Sequence, residues 1–402
     1  MNILYYSYLT GDAFSEQLKG LRYYPQMISL LSSQRELVAG LDKNGAELIL
    51  GVYVPYQRRE LKKTLFRLKP DLYDAKHQVG YLSYVNLPIM QELSLIVSSI
   101  VNTRRWIRKT KGVKDRAVLL DLNNLIPVVL GTMIVCKLKK IHLCARINDA
   151  NIDIFNQEAI GQFSASKRFL ISAYLKVAAR IEQHFDSYIY VAPGMNESIN
   201  KKNKPHITIE GFFNSKSKHV APRPKQNAIL YAGGLHRKYG VGKLLEVFAK
   251  IEEPTLQLWI CGAGEMEQEI EAAAKQDARI KFLGFIPQEE VLERAAAAKL
   301  LINLRDPTME YTARSFPGKI FDYMASGTPL FSTKIKGIPD SYYRHIFHGT
   351  GYDTEKLAVA VASALNKSDD ELDAFGADAR SFLEQHAEGV VQAKKILNFL
   401  KR

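Results

Sequence analysis

Short apolar runs alternate with longer segments of helical periodicity along most of the chain. In the first half, runs of strand length occur at 2–7, 45–54, 117–122, 141–146 and 187–191. Segments with apolar residues at helical spacing lie between them, at 25–38, 127–139 and 163–184. Strands that alternate with helices in this way form parallel sheets. The pattern therefore predicts an α/β fold, in which ligands gather at the carboxyl ends of the strands.

This pattern is interrupted by a polar, basic and proline-bearing stretch at residues 215–225. Exposed segments of such composition commonly connect domains. We therefore predict a first domain at 1–214, a linker at 215–227, a second domain at 228–385 and a terminal helix at 386–402.

The second domain is organised around residues 314–329, which follow an apolar run of strand length and a polar loop. Four apolar residues recur at helical spacing within this stretch: Ile320, Phe321, Met324 and Ala325. Gly327 and Pro329 end the predicted helix. Its first turn carries Ser315, Gly318 and Lys319, which combine backbone amides, a positive dipole end and an ammonium group. The stretch therefore predicts a phosphate site.

The segment from Phe316 to Pro329 resembles the donor-site signature of retaining glycosyltransferases with the GT-B fold, and most of all their large fourth family. The resemblance implies two Rossmann-like domains facing across a cleft, with the C-terminal helix crossing back to the first. Asp322 takes the second acidic place of the signature, which implies that it holds the ribose hydroxyls of a nucleotide sugar. The first acidic place falls on Arg314, and whether Glu310 replaces it is left open.

The resemblance also implies donor-site residues elsewhere in the chain. Arg237 and Lys238 inherit the task of neutralising the diphosphate, in a loop where Gly234 occupies the family's arginine position. Further donor-site candidates follow by position: Gly11, Gly264, Glu265, Phe285, Ile286 and Phe316. For Phe285, core packing explains the residue equally well.

The implied reaction moves a sugar from a nucleotide diphosphate sugar, UDP- or GDP-linked, to an acceptor with retention of configuration. The enzyme must stabilise negative charge on the departing diphosphate. The candidates for this catalytic role are Arg237, Lys238, Arg314 and Lys319. The sequence has no Asp-x-Asp metal signature, and we expect neither a metal nor another cofactor.

The net charge of +13 lies entirely in the first half, because residues 1–220 hold 31 basic and 18 acidic residues and the remainder holds 24 of each. Two amphipathic basic stretches, 56–70 and 95–116, concentrate this charge, and Trp106 flanked by arginines suits a lipid headgroup boundary. The charge predicts contact with an anionic membrane surface. A solvated helix face that packs on its own core is the alternative.

Cysteine usage indicates a reducing compartment, because Cys136, Cys144 and Cys261 form an odd set without metal-ligand spacing. The first residues are typical of a strand rather than of a signal peptide. The longest apolar run, 125–136, is too short to span a bilayer. We expect a cytoplasmic protein, peripheral at the inner face of the plasma membrane.

Polar residues follow two predicted strands of the first domain. Asp121 and Asn124 follow one strand, and Asn148 and Asp149 follow another. These are candidates for acceptor binding, although such residues also form loops for purely structural reasons.

We expect the acceptor to be a lipid-linked saccharide in the assembly of capsule, exopolysaccharide or another surface glycan. A nucleotide-sugar epimerase of the same fold is an alternative, but it leaves the basic first half unexplained. A nucleic-acid-binding protein fits the isoelectric point near 9.4. The chain lacks a base-stacking or recognition motif, so we expect no nucleic acid partner.

Overall fold

The computed structural model describes residues 1–10, 24–54, 64–67, 71–74, 76–87, 89–121, 125–148, 164–215 and 223–401. It divides into two compact units. The first consists of residues 1–191, 195–212 and 389–402, and the second of residues 192–194 and 213–388. The predicted Gly11, Asn124 and Asp149 lie outside the described residues, as does most of the basic stretch 56–70.

The first unit is built on a sheet of eight strands and a separate antiparallel pair. Its strands are β1 (Asn2–Ser7), β2 (Glu47–Val52), β3 (Leu65–Phe66), β4 (Asp71–Leu72), β5 (Gln78–Tyr81), β6 (Tyr84–Val85), β7 (Arg116–Leu120), β8 (His142–Ile147), β9 (Ser187–Tyr190) and β10 (His206–Thr208). The sheet order is β10-β9-β8-β7-β1-β2-β5-β4, and β3 pairs with β6. All neighbours in the large sheet are parallel except β4 and β5.

Helices connect these strands, and three of them overlap the predicted helical segments 25–38, 127–139 and 163–184. They are α1 (Tyr24–Lys43), α2 (Met90–Lys109), α3 (Ile126–Lys139), α4 (Ala165–Glu182) and α5 (Met195–Ile199). Central strands such as β7 are apolar and buried, as expected for a parallel sheet covered on both faces. None of the helices in the described ranges is long and apolar enough to cross a bilayer.

The second unit is a six-stranded, fully parallel sheet. Its strands are β11 (Gln226–Ala232), β12 (Gln257–Cys261), β13 (Ile280–Gly284), β14 (Ala298–Asn303), β15 (Leu330–Thr333) and β16 (Phe347–Gly349). Its helices are α6 (Val241–Ala249), α7 (Glu267–Gln276), α8 (Gln288–Ala297), α9 (Lys319–Ala325), α10 (Thr354–Leu365) and α11 (Asp369–Ala387). The order β13-β12-β11-β14-β15-β16 is that of a Rossmann sheet.

The last helix, α12 (Gly389–Leu400), belongs to the first unit, where it packs on α1. The two helices approach closely at paired glycines, since a Cβ on Gly40 would lie 2.4 Å from the carbonyl oxygen of Gly389. The side chain of Asn44 also donates a hydrogen bond to the carbonyl of Val390 at 2.9 Å. The chain therefore re-enters the first unit at Gly389, within the predicted terminal helix 386–402.

Candidate functional site

The candidate site lies where the strand order of the second sheet reverses, between β11 and β14. These strands are neighbours in the sheet but lie far apart in sequence. The strands after β11 are added on one side of it, and the strands after β14 are added on the other side. Gly233 and Gly234 follow β11, and Arg305 follows β14. In open parallel sheets, the carboxyl ends of strands at such a reversal form the ligand site.

The signature helix α9 is attached to the end of β11 by Tyr323. The phenolic oxygen of Tyr323 accepts a hydrogen bond from the amide of Ala232 at 2.7 Å and donates one to the carbonyl of Ala232 at 3.1 Å. The apolar residues that the sequence places at helical spacing, Ile320 and Met324 among them, are buried in the core. This packing fixes Lys319, the first residue of α9, beside the loop after β11.

Lys319 directs its ammonium group into the protein. Its Nζ is buried, lies 3.7 Å from the ring centroid of Tyr231, and has no hydrogen-bond partner among the described residues. A Cβ on Gly233 would lie 2.9 Å from this Nζ, so the glycine leaves room for the ammonium. Burial, and then the nearby Arg305 guanidinium, hold the pKa of Lys319 well below its usual range.

Arg305 is the second cation at this point, and the sequence analysis did not single it out. Its side chain is buried, with only 7% of the residue exposed, and its Cζ lies 4.8 Å from the ring centroid of Tyr239. One terminal nitrogen lies 3.5 Å from the Ser315 hydroxyl, while Nε has no partner in the described part of the chain. Burial lowers the pKa of Arg305. Its position directly after a predicted strand was the available signal.

Two cations at one buried place without a carboxylate partner are costly. Among the described residues, no ion pair joins an acidic side chain to Lys319 or Arg305. No acidic side chain contributes to the pKa shift of either residue. A buried charge requires a counter-charge and hydrogen bonds to offset its lost hydration. A phosphate or diphosphate would supply both, so the geometry suits an anionic ligand.

The loop after β12 has the glycines that its close packing requires. A Cβ on Gly262 would lie 1.8 Å from the carbonyl oxygen of Gly233, and one on Gly264 would lie 2.5 Å from that of Leu235. Glu265 accepts a hydrogen bond from the backbone amide of Arg237 at 2.8 Å, and this bond is the main reason that the Glu265 pKa is lowered. Gly264 and Glu265 thus hold the loop after β11 in place.

The predicted cations of the β11 loop differ from the buried pair in their surroundings. The guanidinium of Arg237 is exposed and forms an ion pair with Glu269 at 2.5 Å. Lys238 is also exposed, with its Nζ 5.2 Å from the ring centroid of Tyr239. Gly234 accepts a hydrogen bond from the Tyr231 hydroxyl at 2.9 Å. These residues border the region around Lys319 without entering its buried part.

The signature stretch itself is less helical than the sequence predicts. Helix α9 begins at Lys319, so that Ser315 to Gly318 precede it. The amides of Ile320 and Phe321 already donate to the carbonyls of Pro317 and Gly318. Of the predicted phosphate ligands in this stretch, the Lys319 side chain is therefore the one most clearly oriented for the role.

The remaining signature residues divide between core and surface. Phe316 is buried against Phe321 and Tyr342, with ring centroids 5.1 and 5.3 Å apart, so its side chain serves the core rather than a ligand. Arg314 lies 3.4 Å from the Glu310 carboxylate. Asp322 is partly buried and lies 3.4 Å from the side-chain nitrogen of Gln288.

Phe285 is an exposed aromatic residue at the end of strand β13. It follows β13 directly, and 82% of it is exposed, whereas Ile286 packs against the core. Core packing therefore does not explain Phe285. An aromatic ring in this position is available to stack on a planar ligand.

In the first unit, the predicted acceptor residue Asp121 is occupied by the protein itself. One carboxylate oxygen accepts from Tyr5, Gln34 and Arg146 at 2.7 to 2.9 Å, and the other accepts from Asn148 at 2.7 Å. Both Asp121 and Arg146 are buried. The Asp121 carboxylate therefore links strands β1, β7 and β8 within the protein rather than being free for a ligand.

The predicted basic stretch 95–116 is mostly helix α2 followed by the start of β7. Arg104, Arg105, Arg108 and Lys109 are exposed, as predicted. Trp106 is 2% exposed and packs in the core, so the prediction that it meets lipid headgroups is wrong. The helical spacing places Trp106 on the face opposite the arginines, beside the buried Thr103.

Part of the second unit matches a family model. Residues 226–367, which hold the β11 loop and the signature helix, match the family described as glycosyl transferases group 1. No curated protein matches the chain.

Several solved structures share the fold at low sequence identity. The structure of Anabaena Alr3699/HepE in complex with UDP has a TM-score of 0.63 and 14% identity, over 100% of this chain and 99% of that one. Sucrose-phosphate synthase from Thermosynechococcus elongatus has a TM-score of 0.56 and 14% identity, over 98% of this chain and 97% of that one. These likenesses show the fold of two Rossmann-like units that characterises GT-B glycosyltransferases.

The structure of S. aureus TarM in complex with fondaparinux, α-GlcNAc-glycerol and UDP is similar over a smaller part of its length. Its TM-score is 0.55 at 16% identity. The match covers 80% of this chain and 62% of the TarM chain.

Proposed function

We propose that this chain is a glycosyltransferase that takes a sugar from a nucleoside diphosphate sugar bound at the carboxyl ends of β11 and β14. The observation that carries the proposal is the buried pair Lys319 and Arg305, which has no carboxylate partner among the described residues. The match of residues 226–367 to glycosyl transferases group 1 supports it. The UDP in the HepE and TarM structures favours a UDP-linked donor.

In this mechanism the chain stabilises the charge that develops on the departing diphosphate. As the bond between the sugar and the diphosphate breaks, negative charge accumulates on the phosphate oxygens. Positive groups that are already oriented and shielded from water stabilise that charge with little reorganisation. Lys319 and Arg305 supply such groups from the protein, while Arg237 and Lys238 border them at the surface.

The nucleoside would be held by the residues around the buried pair. Asp322 is proposed to accept the ribose hydroxyls, because a carboxylate can bind two vicinal hydroxyls at once. Phe285 is proposed to stack on the base, because its ring is exposed at the end of β13. Arg314 takes the first acidic place of the signature and lies beside Glu310, so this ion pair replaces a single carboxylate near the sugar.

The acceptor is proposed to be a saccharide, presented on a lipid at the cytoplasmic face of the plasma membrane. Support comes from the charge of the first half and from the exposed arginines of α2. Each basic residue near an anionic bilayer contributes about 1 kcal/mol to binding. We further propose retention of configuration, which the resemblance to retaining GT-B glycosyltransferases implies. Catalysis without a metal is proposed because the two buried cations can neutralise the leaving group.

Incubation of the protein with UDP- and GDP-sugars, with and without saccharide acceptors, tests this function. Transfer predicts release of the nucleoside diphosphate that depends on the acceptor, together with a glycosylated product. A new isomer of the intact nucleotide sugar would instead indicate an epimerase and contradict the proposal. The stereochemistry of the product, read by NMR, tests retention.

A further inference from the structure

One face of helix α2 changes from apolar to basic along its length. Met90, Leu93, Val97 and Val101 are each 47 to 59% exposed, and they recur at spacings of three and four residues. Arg104, Arg105 and Arg108 continue the same face in the last turns. The apolar part extends about 16 Å along the helix at 1.5 Å per residue.

The opposite face of α2 is fixed against the first unit. Leu95, Ser99 and Trp106 are buried. The helix packs closely on α3, since a Cβ on Gly131 would lie 2.4 Å from the carbonyl oxygen of Ile96. The exposed apolar residues therefore belong to a well-packed helix, and their exposure does not result from a loose element.

A groove runs beside this face. It has a volume of about 1030 Å³ and is lined by α2, by β5 and by the β3–β6 pair. The apolar lining includes Leu65, Leu93 and Val97, and two guanidinium groups, Arg67 and Arg105, also line it. No acidic side chain lines the groove among the described residues.

We propose that this groove binds one hydrocarbon chain of a lipid phosphate, with the phosphate at Arg105 and Arg67. The chain would cover the apolar side chains from Met90 to Val101, which otherwise remain in water. The arginines provide the charge that an anionic head requires. This inference rests on the proposed function in one respect, because it identifies the occupant with the lipid that carries the acceptor sugar.

A surface that attracts bilayers by charge alone differs from this groove in a measurable way. If charge alone attracts the lipid, its affinity depends on the charge of the lipid headgroup and on the salt concentration. A groove that buries the chain makes binding depend also on chain length, by up to about fourfold for each buried methylene at ~0.8 kcal/mol.

The test is calorimetry of the full chain with hexyl, octyl and decyl phosphate, each kept below its micelle concentration. We expect affinity to rise at least about twofold per methylene. Val97→Trp should fill the groove and remove this dependence, while Val359→Trp, on the exposed part of α10, should retain it. Arg105→Gln should lower the affinity for all three phosphates by about tenfold.

Three results would overturn the proposal. Affinity that does not change with chain length would leave only charge attraction. Complete displacement of decyl phosphate by neutral phosphatidylcholine vesicles would assign the groove to ordinary membrane lipid. A concentration-dependent dimer that Val97→Trp abolishes would assign it to a second copy of the chain. UDP and GDP titrations on the same samples test the donor site separately, so either proposal can fail alone.

Discussion

Lys319 and Arg305 are basic side chains that the protein buries without an acidic partner among the described residues. Lys319 is the first residue of the signature helix, and Arg305 follows strand β14. The position of Lys319 at a helix start is the reason that the sequence predicts it as a phosphate ligand. Burial of Arg305 beneath Tyr239 could not be predicted, since that contact depends on how distant segments pack.

Replacing Lys319 should separate catalysis from folding. In Lys319→Met, we expect turnover at saturating donor to fall by about 100-fold, the usual effect of removing one group that stabilises developing charge. The melting temperature should stay equal or rise, because an apolar side chain removes an uncompensated buried charge. Lys336→Met, at an exposed lysine of the same unit, is the control. Wild-type turnover in Lys319→Met would leave the leaving-group role to Arg305, Arg237 or Lys238.

Proton uptake should accompany donor binding. The pKa of Lys319 is lowered in the free protein, and a bound diphosphate should raise it again. Between the two pKa values, binding must therefore take up a proton. The unfolded chain binds this proton more tightly than the free folded protein does. The free energy of unfolding without ligand should therefore rise with pH from the lowered pKa of Lys319 towards the pKa of about 10.4 in the unfolded chain. Calorimetry in buffers of different ionisation enthalpy measures the uptake, which should disappear in Lys319→Met.

Asp322 has two possible roles that one variant distinguishes. If it holds the ribose, Asp322→Ala should weaken nucleoside diphosphate binding by about tenfold or more and leave stability nearly unchanged. If it only stabilises the first turn of α9, stability should fall while binding stays normal. Asp370→Ala, in the first turn of α11, reports the purely helical effect. Unchanged nucleotide affinity in folded Asp322→Ala would exclude Asp322 from the site.

Among the elements of the first unit, α2 is the one on which the proposed lipid and membrane interactions depend. The hydrophobic and basic pattern predicted an amphipathic segment at 95–116, and the helix extends from Met90 to Lys109. The outward position of the arginines followed from spacing, whereas the apolar residues before residue 95 were not recognised as exposed. Their exposure depends on where the helix begins and what packs beside it, which the local pattern does not specify.

Charge on α2 should control attachment to anionic bilayers. Replacing Arg104, Arg105, Arg108 and Lys109 by glutamine should reduce flotation with phosphatidylglycerol vesicles, because each charge contributes about 1 kcal/mol. Salt should release the wild-type protein for the same reason. A control of equal charge change replaces four exposed lysines of the second unit: Lys275, Lys281, Lys336 and Lys356. Equal recovery of wild-type protein with neutral and anionic vesicles would refute the docking.

At the scale of the whole molecule, both large sheets share one winding order around a reversal point. The alternation of strands and helices predicted parallel sheets, and the solved structures that share the fold confirm two Rossmann-like units. Strand order itself could not be predicted from local pattern, because it is decided by packing between distant segments. The boundary at 212/213 and the return of α12 to the first unit likewise depend on contacts such as Asn44 with Val390.

The acceptor-side candidates show the same limit. Asp121 lies at the reversal point of the first sheet, where a ligand group is expected. The structure occupies its carboxylate with Arg146 and three other side chains. Both oxygens of the buried Asp121 carboxylate accept hydrogen bonds, which offsets part of its lost hydration. The sequence could not distinguish such a network from a binding site.

The buried cation pair of the second unit, Lys319 and Arg305, is proposed to hold the diphosphate of a nucleotide sugar. The most direct measurement is calorimetric affinity for UDP and GDP, compared with uridine and guanosine, in the wild type and in Arg305→Gln combined with Lys319→Met. Each charge-assisted bond to phosphate contributes about 1.5–3 kcal/mol. We expect the wild type to prefer the diphosphate over its nucleoside by at least about 100-fold, and the double variant to lose most of this preference. An undiminished preference in the folded double variant would show that Lys319 and Arg305 do not bind the diphosphate.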